Sequence, residues 1–351
     1  MSDMNYLQWL SRTTPTTWWH DSGDPKELPQ ALENGAVGVT TNPVLVAQAL
    51  QNNKEYWRGD VQKIIDAETN PRTRAESLMR IVVTDAARHL EPIYRATSGK
   101  QGYVCAQVDP SLAGNRQAMQ EMAKRFSAWA PNIAVKLPAT SAGLDVMERC
   151  CSEGITVTIT VSFSVAQAFA AGKRYQGVVR SNKAGGRLGK CFTVIMIGRL
   201  DDYLREVFAD GQEDVSEEEI QMAGLGVVKH AYSLYRQHGF DATLLIAALR
   251  GTYHMTGLAG GHLTMSIHPV YQKRILEGAL VRAQNMDTPI PRTVQEKLER
   301  MPEFMKAYDP QGLSEKEMLT FGLTQRTLAQ FMESGWRLLE QFRLRSADAS
   351  G

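Results

Sequence analysis

The stretch "IAVKLPATSAGLDVMERCCSEGITVTITV", Ile133–Val161, contains one complete folding unit. Its first run, Ile133–Leu137, is short, apolar and bounded by turn-forming residues, which predicts a strand. Ser141–Ser152 then carries apolar residues at helical spacing and predicts an amphipathic helix. Thr156–Val161 is dense in β-branched residues and predicts a second strand. A strand, a helix and a strand imply parallel pairing through a right-handed crossover. Within the first strand one lysine, Lys136, interrupts the apolar run, although its ammonium group is strongly hydrated.

Outward from this unit the same rhythm repeats. Further strands are expected at Thr17–His20, Gly38–Thr40, Tyr103–Gln107, Phe192–Ile197, Thr243–Ala247 and Leu263–Ile267. Amphipathic stretches such as Asn115–Ala128 and Ser216–His238 lie between them. Eight strands in roughly 280 residues predict an α/β fold, a (β/α)8 TIM barrel. An open doubly wound sheet is the rival, but no Gly-rich phosphate turn follows the first strand. "GGRLGK", Gly185–Lys190, lacks the strand–loop–helix setting of a P-loop and reads as a basic loop before the sixth strand. Two regions fall outside the repeat. Residues 53–97 predict a helical insertion after the second strand. Residues 285–351 predict a helical C-terminal extension beyond a barrel domain of residues 1–284. Its segment "TQRTLAQFMESGWRLLEQFRLR" is polar on one side and carries Leu, Phe and Trp on the other, so it should pack on the barrel. It equally suits assembly into a homo-oligomer.

Composition narrows the function classes. The chain has 351 residues, 43% of them hydrophobic, enough for a large core. Its 39 Lys and Arg balance 38 Asp and Glu, which argues against nucleic acid or a membrane surface as a partner of the whole protein. The N-terminus has no basic segment leading into an apolar one. The longest apolar runs, "FTVIMIG" and "TLLIAAL", are too short to span a bilayer. Cys105, Cys150, Cys151 and Cys191 show no CxxC spacing, so free thiols and a cytoplasmic location are expected. The seven histidines form no ligand-like cluster, and no metal is expected.

In a parallel barrel the chemistry lies where the strands end. The first strand ends with "WWHDSGDP", offering Asp21; the second, "VTTNP", offers Thr40 and Asn42. The third, "CAQVDP", offers Gln107 and Asp109, and the fourth Lys136. In the fifth, Thr158 and Thr160 share a face by strand alternation. The sixth and seventh offer Arg199 and Arg250, and His268 stands at the rim after the eighth. This set suits covalent amine catalysis on a phosphorylated sugar. Burial and nearby guanidinium groups disfavour an ammonium ion, and a neutral amine can form a Schiff base with a ketone. Asp21 would take the proton from the departing hydroxyl. Gln107 and Thr160 would hold the water that imine chemistry needs. Arg199 and Arg250 suit a terminal phosphate, because planar guanidinium groups pair well with its oxygens. No cofactor is required, since the imine itself withdraws electrons. Each residue also has a structural reading. Lys136 could lay its stem along the surface, Asp21 could be a turn residue, and the arginines could pair with Asp201 or Asp202. Thr40, Asn42 and Pro43 could simply turn a strand into a helix.

These residues sit in segments that resemble the transaldolase family. "DSGDP", "GVTTNPVLV", "IAVKLPATSAGLDVMERCCSEGITVTITVSFSVAQAFAAG" and "IGRLDDYL" carry the resemblance, which runs from about Thr17 to His268. It implies that Lys136 is the Schiff-base lysine and Asp21 the catalytic aspartate. It further implies that Thr40, Asn42 and Thr160 lie in the active site and that Arg199 and Arg250 bind phosphate; Thr158, on the face of Thr160, is expected to contact substrate. The implied activity is transfer of a dihydroxyacetone-type unit between sugar phosphates, as in the pentose phosphate pathway. Some positions depart from the pattern. Gln107 replaces the glutamate of transaldolases, a feature of the fructose-6-phosphate aldolase branch. Met196 stands where that branch has tyrosine and transaldolases phenylalanine. Thr158 stands for asparagine, Val194 for serine and Ala248 for a small polar residue. A fructose-6-phosphate-type aldolase, a transaldolase with an altered anionic donor, and a sugar-phosphate-binding barrel impaired in catalysis are the alternatives.

Overall fold

A computed structural model describes residues 4–182, 185–209 and 215–343. Among them eight parallel strands close into a barrel in chain order. They are β1 Thr17–His20, β2 Gly38–Val39, β3 Tyr103–Gln107, β4 Ile133–Pro138, β5 Val157–Thr160, β6 Cys191–Met196, β7 Thr243–Ala247 and β8 Thr264–Ile267. Closure is made by β8 on β1, with Thr17 opposite Thr264 and His20 opposite Ile267. The strands are buried on both faces, as a parallel sheet wrapped in helices must be. This explains why β4 reads as a continuous apolar run rather than an alternating one.

Alternation still decides which residues face the lumen. Trp19 on β1 meets Phe192 on β6, ring centroids 4.8 Å apart, although those strands are not neighbours. Tyr103 on β3 meets the same Phe192 at 5.5 Å. These rings fill the lumen, so the barrel is a packed core and not a pore. Gly38 leaves room for the indole: a Cβ there would stand 2.5 Å from the Trp19 ring. With Trp19 inward, Asp21 two residues on is inward too, and His20 faces out.

After β2 come helix Pro43–Asn52 and then, within the expected insertion of residues 53–97, helices Lys54–Ala67 and Pro71–Ala96. The expected helix Ser216–His238 is two, Glu217–Ile220 and Ala223–His238. Just after the break, Gly224 packs so closely that a Cβ there would stand 2.4 Å from Ile197 Cγ1, and its N–H donates to Asp201 Oδ1 at 2.9 Å. The "GGRLGK" loop does precede β6. The four cysteines are free and buried. Among the described residues no helix is long and apolar enough to cross a membrane.

The C-terminal region ends in helix Gly322–Phe331, a π-helical turn Met332–Trp336 and helix Arg337–Glu340. The π-turn packs against helix Pro43–Asn52 and the last helix against Pro71–Ala96, while Gly322–Phe331 lies against Pro110–Leu112 and helix Ile197–Ala209. Trp336 is fully buried. Gly335 lies so close to the Pro43–Val44 backbone that a Cβ would be 2.6 Å from the Val44 nitrogen. The widened turn therefore seats the tail on the start of the helix that follows β2.

Candidate active site

A cavity of about 370 Å³ opens at the C-terminal ends of the strands. Of the residues expected there, Asp21, Thr40, Asn42, Lys136, Thr160, Arg199 and Arg250 line it, with His268 at its edge. Gln107 and Thr158 do not. They flank Lys136 on the same rung, Gln107 opposite it from β3 and Thr158 from β5. Their shorter side chains stop in the packed lumen while the lysine reaches up. Thr158 Oγ1 lies 3.5 Å from Cys105 Sγ. Gln107 Oε1 is buried and accepts no hydrogen bond from the described residues, the condition that ordered water commonly satisfies. Asp109 is also absent from the cavity; its carboxylate accepts the Ser111 N–H at 2.8 Å and caps a short turn.

Lys136 is only 7% exposed. Its Nζ donates to the Thr41 carbonyl at 3.0 Å and forms no ion pair among the described residues. It is therefore not a lysine stretched along the surface toward bulk water. Asp21 accepts the Thr40 hydroxyl at 2.6 Å. Thr40 has one proton to give, so the Ser266 hydroxyl, also in contact with Thr40, donates to it. This Ser266–Thr40–Asp21 chain fixes one carboxylate oxygen and leaves the other for the cavity. The turn role belongs to the next residues, where Asp24 N–H donates to Ser22 Oγ at 3.1 Å. Asn42 serves both readings. Its Oδ1 accepts the Val44 and Leu45 N–H groups at 2.9 and 3.1 Å as a helix N-cap, while the residue lines the cavity.

The ends of β4 and β5 are tied by Gln167, whose Nε2 donates to Ala139 O and Val161 O at 3.1 and 3.2 Å. Val161, directly after β5, has φ 54, a left-handed conformation that a β-branched residue rarely adopts. Ala248, directly after β7, has φ 56. Such residues cost about 1–3 kcal/mol and persist where the surroundings over-determine them. The Ala248 kink aims its carbonyl at Arg250 Nη1, 2.9 Å away, and at the Gly198 N–H, 3.2 Å away. Only glycine fits at 198, since a Cβ would lie 2.4 Å from both Ala248 O and Arg250 Cγ.

Arg250 pairs with Asp202 through Nε and Nη2 at 2.9 and 2.7 Å, one of the structural pairings the sequence allows. It lines the cavity all the same. Its backbone N–H donates to His254 Nδ1 at 3.1 Å. His254 Nε2 and Asp201 Oδ2, both fully buried, approach to 2.9 Å without the alignment of a good hydrogen bond. Burial pushes the Asp201 carboxyl above its ordinary value, with His254 opposing. Asp201 is thus a prop behind the arginine and not its partner. Among the described residues Arg199 forms no ion pair with a carboxylate. Its Nη1 donates to Gln330 Oε1, and its guanidinium carbon lies 5.8 Å from the Phe331 ring centre. Burial, then the nearby Arg250, pulls Arg199 below its ordinary value. Two mutually repelling guanidinium groups at one wall favour an anion between them.

Sequence reasoning missed Ser266, Gln330 and Phe331. Ser266 was within reach, because it precedes His268 by two on the same strand face. The tail residues carried no local signal; only the glycine in "MESGW" hinted at a close approach.

A parallel eightfold barrel with a buried lysine, a carboxylate and two guanidinium groups at one mouth defines the class, that of (β/α)8 barrel proteins. The profile described as transaldolase/fructose-6-phosphate aldolase matches residues 18–342. The chain belongs to that family. A transaldolase of Thiobacillus denitrificans is 29% identical over 260 residues, covering 71% of this chain and 72% of that protein. A transaldolase of Neisseria meningitidis serogroup A is 32% identical over 189 residues, 52% of this chain and 54% of that protein. One of Kocuria rhizophila is 36% identical over 151 residues, 42% and 39% respectively. The chain thus spans about half the length of the Neisseria relative that it matches.

Proposed function

We propose that the protein is a transaldolase-type enzyme working through a Schiff base on Lys136. The observation that carries this is the burial of Lys136 Nζ beside a cavity, held by one backbone carbonyl and, among the described residues, paired with no carboxylate. In its unprotonated form the amine attacks a ketose carbonyl carbon, and loss of water gives an iminium ion. The bond between the α and β carbons then breaks. Asp21 takes the proton of the β-hydroxyl as that carbon becomes an aldehyde, and the electron pair moves into an enamine on the lysine. Addition of the enamine to a second aldehyde completes transfer; protonation and hydrolysis complete simple cleavage. Thr40 and Ser266 orient Asp21, while Arg199 and Arg250 hold the anionic end of the sugar phosphate. Gln107 supports the cleavage reading, because its amide can orient water but cannot relay a proton as a carboxylate would. Comparing products with and without an acceptor aldose phosphate separates the two outcomes.

Borohydride added with a ketose phosphate should leave a reduced sugar adduct, mapped by mass to Lys136 and absent in Lys136→Ala. A wild-type protein that gives no adduct across a panel of ketose phosphates overturns the proposal.

A further inference from the structure

The "GGRLGK" loop plays no part in the mouth of the barrel. It builds a second cavity, of about 420 Å³, at the opposite end, where β3, β5 and β6 begin. The loop is pinned there by its glycines. Gly185 has φ +69, and a Cβ on Gly189 would stand 1.9 Å from the Ile155 carbonyl. The Gly189 N–H donates to Cys151 O at 2.8 Å, and the Lys190 N–H to Thr156 Oγ1 at 3.2 Å. The result presents Arg187 and Lys190 to the cavity from one side. The end of helix Pro71–Ala96 forms the other side, with Tyr94, Arg95 and Ser98.

The charge here is unbalanced. Among the described residues no carboxylate lines this cavity, and neither Arg187 nor Lys190 forms an ion pair. Arg187 Nη2 donates to the Tyr94 hydroxyl at 2.8 Å. Among the described residues Lys190 Nζ meets the Lys100 carbonyl, at 3.4 Å, and the Tyr103 ring, 5.9 Å to its centre. Arg95 is already satisfied by Glu91 at 2.9 Å. The carboxyl end of the helix supplies roughly half a negative charge, which two cations exceed. Burial and the neighbouring Lys100 pull Lys190 below its ordinary value; an anion in the cavity would relieve both. The volume exceeds that of a bare phosphate and falls in the range of small-ligand pockets.

We propose that this cavity is a second anion site, taking a phosphate dianion either free or on a small metabolite, separate from the mouth. Calorimetry tests it with two probes that form no imine, inorganic phosphate and glycerol 3-phosphate. Wild-type protein should show two sites, and Arg199→Ala/Arg250→Ala should keep one. Arg187→Gln/Lys190→Gln should weaken that remaining site by at least about tenfold while borohydride trapping at Lys136 stays at the wild-type level. Tighter binding of glycerol 3-phosphate would identify a phosphorylated metabolite as the ligand class, and tighter binding of inorganic phosphate the free ion. The proposal is overturned if Arg187→Gln/Lys190→Gln, or the exposed single change Arg187→Glu, binds both probes as wild type does. It is equally overturned if Arg199→Ala/Arg250→Ala abolishes all binding. Loss of trapping alone would bear on the Schiff-base reading and leave this one standing.

Discussion

The two walls of the mouth are built differently. Asp21, Thr40, Lys136 and Thr160 stand on or just beyond strands of one sheet, and their positions follow from register and short local bonds. Arg199 and Arg250 stand beyond strand ends and lean on groups from elsewhere: Asp202, the buried Asp201–His254 couple, and Gln330 from the far end of the chain. The first wall is rigid because the barrel is. The second is an assembly of parts, and it should tolerate loss of one part better than loss of the charge itself.

The largest effect should come from the first wall. Asp21→Asn should slow carbon–carbon cleavage by about 10²–10⁴-fold while borohydride trapping of the donor continues. Equal loss of both steps would show that Asp21 does not act as the proton acceptor. On the second wall, Arg250→Ala should raise KM for a phosphorylated donor by about 10–100-fold with little change for an uncharged ketose. Gln330→Ala leaves the charge in place and should raise KM only about 3–10-fold. If Gln330→Ala equals Arg250→Ala, the distinction between charge and support disappears.

The smallest effect concerns the backing of the first wall. His20 faces outward behind Asp21 and is bonded through Nδ1 to Gln272 Nε2 at 2.9 Å. Burial pulls its pKa from 6.5 to about 4, with Asp21 opposing. Between those pH values the unfolded chain binds a proton that the folded chain refuses. Stability should therefore be level above pH 6.5 and fall as pH drops toward 4, by up to about 3 kcal/mol from this group. His20→Asn, which keeps an acceptor for Gln272, should flatten that part of a urea-denaturation series. An unchanged slope would place the acid sensitivity elsewhere.

The same contrast explains what could be read from the chain in advance. Strand positions were legible because β-branched runs recur between helical periods, and alternation puts Thr158 and Thr160 on one face. Alternation does not measure reach. Register sets Gln107 and Thr158 beside Lys136, but both side chains are shorter than the lysine's and neither lines the cavity. The arginines were legible as strand-end residues, and their choice of partner was not, because Asp201 and Asp202 are adjacent and diverge by about 100° on a helix. Gln330 lies 131 positions from Arg199, and no local pattern relates them.

The seating of Gly335 on Pro43 and Val44 also has a temporal side. A nascent polypeptide could close its cylinder soon after Ile267 leaves the ribosome, yet its anion pocket would stay unfinished through some sixty further rounds of peptide-bond formation. Early in its life the molecule would carry Lys136 and both arginines without the Gln330 and Phe331 that brace Arg199.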